Sequence, residues 1–296
     1  MDTELLKTFM EVSRTRHFGR AAENLYLTQS AVSFRVRQLE GLLGVELFSR
    51  QRNNIQLTSA GEKLMPLAES TVLLEQRIRQ EVAMADGKYQ QMSLGATPNL
   101  WDAFLQQQLS LLMSRSSGIA LNAMAHSSGN LVRQIIERTL DLAFVFDAPK
   151  VDELTTREVM DIPLYLVATS PCDNWQAALE GDYVLVDWGT SFQIQHAQEF
   201  KGARPPVLQT NTGRIALECI LSNGGAAYLP ASLIRPYLND GQLYIVPHAP
   251  VISRTVYASF HASSGREELI ERVIDQISGN IADWSELNLP EGETLP

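Results

Sequence analysis

Cysteine is almost absent from this chain: two residues, Cys172 and Cys219, in 296. Two thiols cannot build the disulfide framework of a small secreted domain, and such sparing use fits a reducing compartment. Neither has a basic neighbour in sequence, so both read as small core residues, with redox sensing as the other reading. Long apolar runs are missing too. None approaches the ~18 to 20 residues that a membrane span needs, and Met1-Asp2-Thr3-Glu4 lacks the basic-then-apolar layout of a signal peptide. There is no G-x-S-x-G, P-loop, C-x-x-C or H-E-x-x-H. The histidines (His17, His126, His196, His248, His261) are scattered, so no catalytic residue, metal or cofactor is expected. These absences point to a soluble, cytoplasmic protein with no membrane partner.

What is present is a globular composition, 45% hydrophobic and 20% charged. The length suits two domains at roughly 150 residues each. The net charge of −10 hides an asymmetry. Residues 1 to 90 carry 12 Lys/Arg against 11 Asp/Glu, whereas residues 91 to 296 carry 12 against 23. From Arg14 to Arg52 seven arginines face only Glu23, Glu40 and Glu46. A locally basic head on an acidic body suits a protein whose head meets a polyanion; a solvated surface stretch is the alternative.

The first 45 residues read as three helices. Leu5, Leu6, Phe9, Met10 and Val12 recur at helical spacing behind the capping residues Asp2 and Thr3. Phe18, Ala21, Ala22 and Leu25 form a second stripe. Thr28 opens a third, with Val32, Val36, Leu39 and Leu43 facing inward. Tyr26, Leu27 and Thr28 supply the short turn of a helix-turn-helix. The outward side of the third helix carries Gln29, Ser30, Ser33, Phe34, Arg37 and Gln38, with Arg35 at its flank. Gln and Arg make bidentate contacts with base edges in the DNA major groove, and Ser bonds to base or phosphate. An ordinary polar helix face is the other reading. In Leu47 to Thr58, alternating apolar residues flank Asn53-Asn54, the pattern of a small hairpin or wing. Arg50 and Arg52 at its tip are placed to meet a phosphate or a narrow minor groove.

The run Phe18-Gly19-Arg20-Ala21-Ala22, Leu25, Thr28-Gln29-Ser30-Ala31-Val32-Ser33, Arg37-Gln38-Leu39-Glu40, Leu43-Gly44-Val45, Leu47-Phe48, Arg50, Leu57-Thr58, Ala60-Gly61 resembles the winged helix-turn-helix of LysR-type transcriptional regulators. Within that family the head is most similar to enterobacterial repressors of the flagellar master operon. The sequence departs from the usual pattern at Ser30, where Pro is common, at Phe34, where Arg is common, and at Arg35, where Gln is frequent. A different operator is therefore expected. Phe34 is either a wedge against a thymine methyl or a residue packed on the turn.

Beyond the head, Leu64, Leu67, Thr71, Leu74, Ile78, Val82 and Ala85 follow a near-heptad over residues 59–87. That spacing favours a two-helix seam, with packing on its own domain as the alternative. The resemblance implies that this linker joins subunits into a homodimer or homotetramer. Asp86-Gly87-Lys88 marks its end.

Residues 91–296 alternate strand-like and helix-like stretches, which argues for an α/β domain with largely parallel sheets. Strands are expected at 92–96, 119–125, 141–146, 164–169, 183–187, 226–229, 243–246 and 255–260. Three strand-to-helix junctions carry hydroxyl or amide groups: Thr97-Pro98-Asn99, Ser127-Ser128-Gly129-Asn130 and Thr210-Asn211-Thr212. Helix starts offer N–H groups and a positive dipole end to an anion; simple helix caps are the bland reading. The resemblance implies a two-lobed, periplasmic-binding-protein-like body, lobe one at 91–162 plus 254–285 and lobe two at 163–253. A small-molecule effector, anionic if it uses the helix starts, would then touch Thr97, Asn99, Ser127, Ser128, Thr210 and Thr212. The stretch Asn223-Gly224-Gly225 to Tyr228-Leu229-Pro230 is similar to a glycine-containing segment of the family. The tail from Asn288 reads as disordered. Expected partners are operator DNA, the effector, further copies of the chain and RNA polymerase. An α/β enzyme or solute-binding protein with an appended DNA-binding head, or a nucleoid-organising protein, are the competing readings.

Overall fold

The computed structural model describes residues 2–51, 54–83, 90–115 and 118–279. The chain divides into two compact units, Met1–Gln90 and Gln91–Pro296.

In the first unit each helix starts where a side chain satisfies an otherwise unpaired backbone N–H. Asp2 accepts from the Glu4 N–H at 3.0 Å ahead of α1 (Thr3–Thr15). The Nδ1 of His17 accepts from Gly19 and Arg20 ahead of α2 (Phe18–Asn24). The Thr28 hydroxyl accepts from Ala31 at 3.2 Å ahead of α3 (Gln29–Leu43). Leu5, Leu6, Phe9, Val12, Ala21, Ala22, Val32, Val36 and Leu39 make the shared core. β1 (Phe48–Gln51) and β2 (Asn54–Leu57) form the antiparallel wing. The long helix α4 (Ser59–Ala83) has two faces. Ala68 and Val72 are buried against the head, with Leu64 and Met65 packed beside them. Leu67, Leu74, Ile78 and Val82 are exposed on the other. The head therefore takes up only part of the heptad-like stripe. The expected stop at Asp86-Gly87-Lys88 lies outside the described residues, as do Ala85 and the tail.

The second unit is built on one mixed sheet of β3 (Gln90–Ala96), β4 (Ile119–Ala125), β5 (Leu142–Val145), β6 (Leu154–Ala168), β7 (Tyr183–Val186), β8 (Leu208–Thr210), β9 (Ala226–Pro230), β10 (Tyr244–Ile245) and β11 (Ile252–His261). Its order is β4-β3-β5-β11-β6-β9-β7-β8, with β10 on β6. The expectation of largely parallel sheets is corrected here. β3–β5, β7–β8 and β7–β9 are parallel, but β6 and β11 run antiparallel to each other and to the strands beside them. The reason is connectivity. β6 and β11 pair from Ile252↔Leu164 to His261↔Leu154 and join a half holding β3–β5, lobe one, to a half holding β7–β10, lobe two. Lobe one carries α5 (Pro98–Leu100), a π turn over Trp101–Leu105, α6 (Gln106–Arg115), α7 (Ser128–Ile136) and α12 (Glu267–Ser278). Lobe two carries α8 (Trp175–Glu180), α9 (Thr190–Glu199), α10 (Gly213–Asn223) and α11 (Ala231–Asn239). Gly225, at φ +119°, brings the chain so close to the Asp182 carbonyl that a Cβ would lie 2.1 Å from its oxygen. Only glycine fits that approach.

Candidate functional site

On the head, Gln29, Ser30, Phe34 and Arg37 of α3 are exposed and Ser33 is half-buried. Phe34 leaves 64% of its surface to solvent, so it is not packed on the turn. The Ser30 hydroxyl pairs with that of Thr28 at 3.0 Å, and the Arg37 Nε donates to the Ser33 carbonyl at 3.3 Å. Arg35 departs from this group. Its guanidinium turns to α1, where it meets Glu4 and the Thr8 hydroxyl at 3.5 and 3.4 Å. The three-residue step from Val32 explains the turn: Arg35 lies at the edge of the buried stripe, within reach of the neighbouring helix. Arg50 lies on β1, at the wing; its side chain and the whole of Arg52 lie outside the described residues.

In the body, the three hydroxyl-bearing junctions meet where the lobes face one another. The His126 N–H donates to the Ala96 carbonyl at 3.1 Å, which sets residues 126–128 beside 97–99. The Asp187 N–H donates to Thr210 at 2.8 Å, which sets the ends of β7 and β8 together. Asn99 joins the two sides. It is 3% exposed, its Nδ2 donates to the Asp187 carbonyl at 2.9 Å, and its Oδ1 accepts from the Gly213 N–H at 2.7 Å. Both ends of that amide are thus engaged in holding lobe to lobe. Thr97, Ser127 and Thr212 each occupy the residue just before a helix with extended backbone, yet none of their hydroxyls bonds to the helix it precedes. Thr212 donates instead to the Asn211 side chain at 3.3 Å, and Thr210 accepts from the Thr212 N–H at 3.2 Å. Ser128 is exposed at the first position of α7. The Thr97 hydroxyl is buried with no hydrogen-bond partner. A buried unpaired hydroxyl is costly and marks a place where a partner is missing.

A second cluster lies between the lobes. Asp147, just past β5, reaches the start of α9, where one carboxylate oxygen accepts from the Thr190 N–H at 2.9 Å. Its other oxygen accepts from Arg254 of β11 at 2.7 Å. Arg254 is 4% exposed and also donates to the carbonyls of Trp188 and Phe146, at 2.8 and 3.0 Å. Burial works to raise the Asp147 carboxyl, but the Thr190 N–H and the Arg254 guanidinium outweigh it and hold it below the usual carboxylate range. A separate open groove of about 450 Å³ on lobe two, between Trp175, Phe200 and Pro250, includes none of the residues expected from sequence.

The model of the LysR substrate binding domain matches residues 85–281, and that of the bacterial regulatory helix-turn-helix protein, lysR family, matches residues 3–62. The HTH-type transcriptional regulator HdfR of Escherichia coli is 43% identical over 288 residues, covering 96% of this chain and 99% of the relative. The chain belongs to the LysR family. It is a DNA-binding transcriptional regulator with an effector-binding domain. Two solved structures share its fold across 94% of the chain. CbnR in complex with its target DNA has a TM-score of 0.74 at 18% identity, covering 99% of that chain. A full-length OxyR variant from Pseudomonas aeruginosa has 0.55 at 23%, also covering 99%. Its relatives are named as regulators rather than enzymes. Among the described residues no helix of this LysR-type regulator is long and apolar enough to cross a membrane.

Sequence reasoning missed Asp147, Thr190 and Arg254. Asp147 follows a buried strand without any motif of its own, and Arg254 pairs with it across 107 residues. Residue types alone gave no signal. Only the structure shows why Gly189 is a glycine: at φ +93°, a Cβ there would stand 2.8 Å from the Asp147 carboxylate.

Proposed function

We propose that this regulator reads its operator with Gln29, Ser30, Ser33, Phe34 and Arg37 in the major groove while Arg50 and Arg52 hold phosphates. It acts in the cytoplasm as a homodimer or homotetramer whose subunits join through the exposed face of α4. RNA polymerase is its further partner on DNA. A small effector enters between the lobes and touches Thr97, Ser127, Ser128, Thr210 and Thr212, its anionic end at the start of α7. Asn99 serves there as a clasp between the lobes. The observation that carries the reading is that the junction hydroxyls stand at helix starts without capping them, Thr97 buried and unpartnered among them. A residue kept only as a cap would make its cap bond.

Thr97→Val tests it, because the change nearly preserves volume while removing the hydroxyl. Once an effector is identified, the variant should lose the effector's influence on DNA binding and keep effector-free binding intact. An unaltered response would remove Thr97 from the site.

A further inference from the structure

The start of α9 already holds an anion, and the anion belongs to the chain. We propose that Asp147 is a tethered carboxylate ligand: it fills an anion subsite made by the Thr190 N–H and Arg254, so the effector brings no second carboxylate to the lobe-two side of the cleft. The inference rests on the effector reading above for its meaning and on the Asp147 contacts for its substance. It makes the effector a molecule with one anionic group, met by lobe one, and a neutral far end.

Asp147 leaves 42% of its side chain open to solvent, and three features set its contacts apart from an ion pair between two exposed side chains. The cation is buried and held in place, since Arg254 donates to two backbone carbonyls, one from each lobe, as well as to Asp147. The carboxylate divides its oxygens between that guanidinium and a helix N–H, the arrangement by which a bound carboxylate or phosphate is recognised. The backbone is shaped to admit it. Gly189 is in the left-handed region, where a side chain would collide with both Asp147 and Arg254 at under 3 Å. A diacid able to bridge the lobes would have to expel Asp147 from these partners. A monoacid would not.

Deleting the tether should leave a site for a free carboxylate. In the full-length protein, Asp147→Gly should lower the thermal midpoint, and sodium formate should restore it saturably by about 3 °C or more, against a sodium chloride control of equal ionic strength. Wild type should show no response beyond that control. Asp147→Asn keeps the volume of the side chain and blocks the site, so it should be less stable than wild type and insensitive to formate. If Asp147→Gly does not fold, formate during refolding should recover soluble protein. Asp147→Asn as stable as wild type, or formate without effect on folding or midpoint of the glycine variant, would overturn the proposal. These readouts need no effector. A cleft that never binds one would sink the proposed function and, with it, the single-anion effector while leaving the Asp147 contacts; a glycine variant deaf to formate would sink only the tethered ligand.

Discussion

The head and the body treat their polar side chains in opposite ways. On α3, Gln29, Ser30, Phe34 and Arg37 face solvent on a rigid helix whose other side is core. Between the lobes, Asn99, Asp147 and Arg254 are joined to partners in the facing lobe. A surface meant for a large polyanion keeps its groups open and gains precision from backbone rigidity. A cleft for a small molecule must first hold its walls together, and on the proposed reading the hydroxyls left over, Thr97 among them, meet the ligand. Side chains open to solvent should therefore matter for association and hardly for folding, whereas the interlobe groups should matter for folding first.

The exposed face of α4 offers the largest expected effect. Burying Leu74 and Ile78 on a partner would contribute about 1.5 to 3 kcal/mol each. Leu74→Glu should convert the assembly to monomers by light scattering while leaving the unfolding of each unit unchanged; a fully dimeric variant would place dimerisation in the body. Next comes the clasp. Asn99→Leu leaves the Gly213 N–H and the Asp187 carbonyl unpaired, at a cost of about 1 to 3 kcal/mol for each buried group, and denaturant unfolding of the body should show it. Little change would mean that the lobes are held elsewhere, for example by the Ser232 hydroxyl on the Ala103 carbonyl at 2.7 Å. Gln29→Leu is the converse case. Stability should move by no more than about 0.5 kcal/mol, while discrimination between operator and unrelated DNA should fall by about 1 to 3 kcal/mol. Equal discrimination would show that this residue reads no base.

A further contrast concerns pH. His196 lies in an aromatic cage of Tyr183, Phe192, Phe200 and Tyr228, with its Nε2 2.8 Å from the Tyr183 hydroxyl. Burial pushes the imidazole down to about 4. The unfolded chain therefore takes up a proton that the folded chain refuses. The stability this gives is present above the ordinary histidine value of about 6.5 and is lost as pH falls towards 4. The caging phenols of Tyr183 and Tyr228 are pushed upward by burial and do not titrate in that window; the negative charge of Glu199 adds to the upward push on Tyr228. The urea midpoint should fall between pH 7 and 5 in wild type and fall less in His196→Gln. Identical slopes would exclude the cage as their source.

The sequence made the head more legible than the body for a physical reason. Helix stripes, caps and a hairpin depend on residues a few positions apart, and Asp2, Thr28 and Val32 declare their roles locally. The departure of Arg35 does not, because it turns on Glu4 and Thr8, 31 and 27 residues away. In the body, the expected strand at 164–169 is only the buried end of β6, whose first half, Leu154–Asp161, is half-exposed and carries Arg157, Glu158 and Asp161. β8 has three residues behind Pro205-Pro206, too few to show a period. The junction hydroxyls were readable as helix starts, but residue type does not show that Thr97 stays unpaired or that Thr212 turns to Asn211; the Asp147 contacts join segments 43 and 107 residues apart.

The long crossover strands also set an order of events during synthesis. Once Ile245 has emerged from the ribosome, β7, β8, β9 and β10 are all free to pair with one another and with Tyr165–Ala168 of β6. Lobe one must wait, because β11 inserts between β5 and β6 and ends only at His261. Until then the edge of β5 is unpaired on one side, and open strand edges are where nascent chains pair wrongly. A chain that has emerged to a point between Ile245 and Ile252 presents the strands of the second lobe together while β5 of the first still lacks β11.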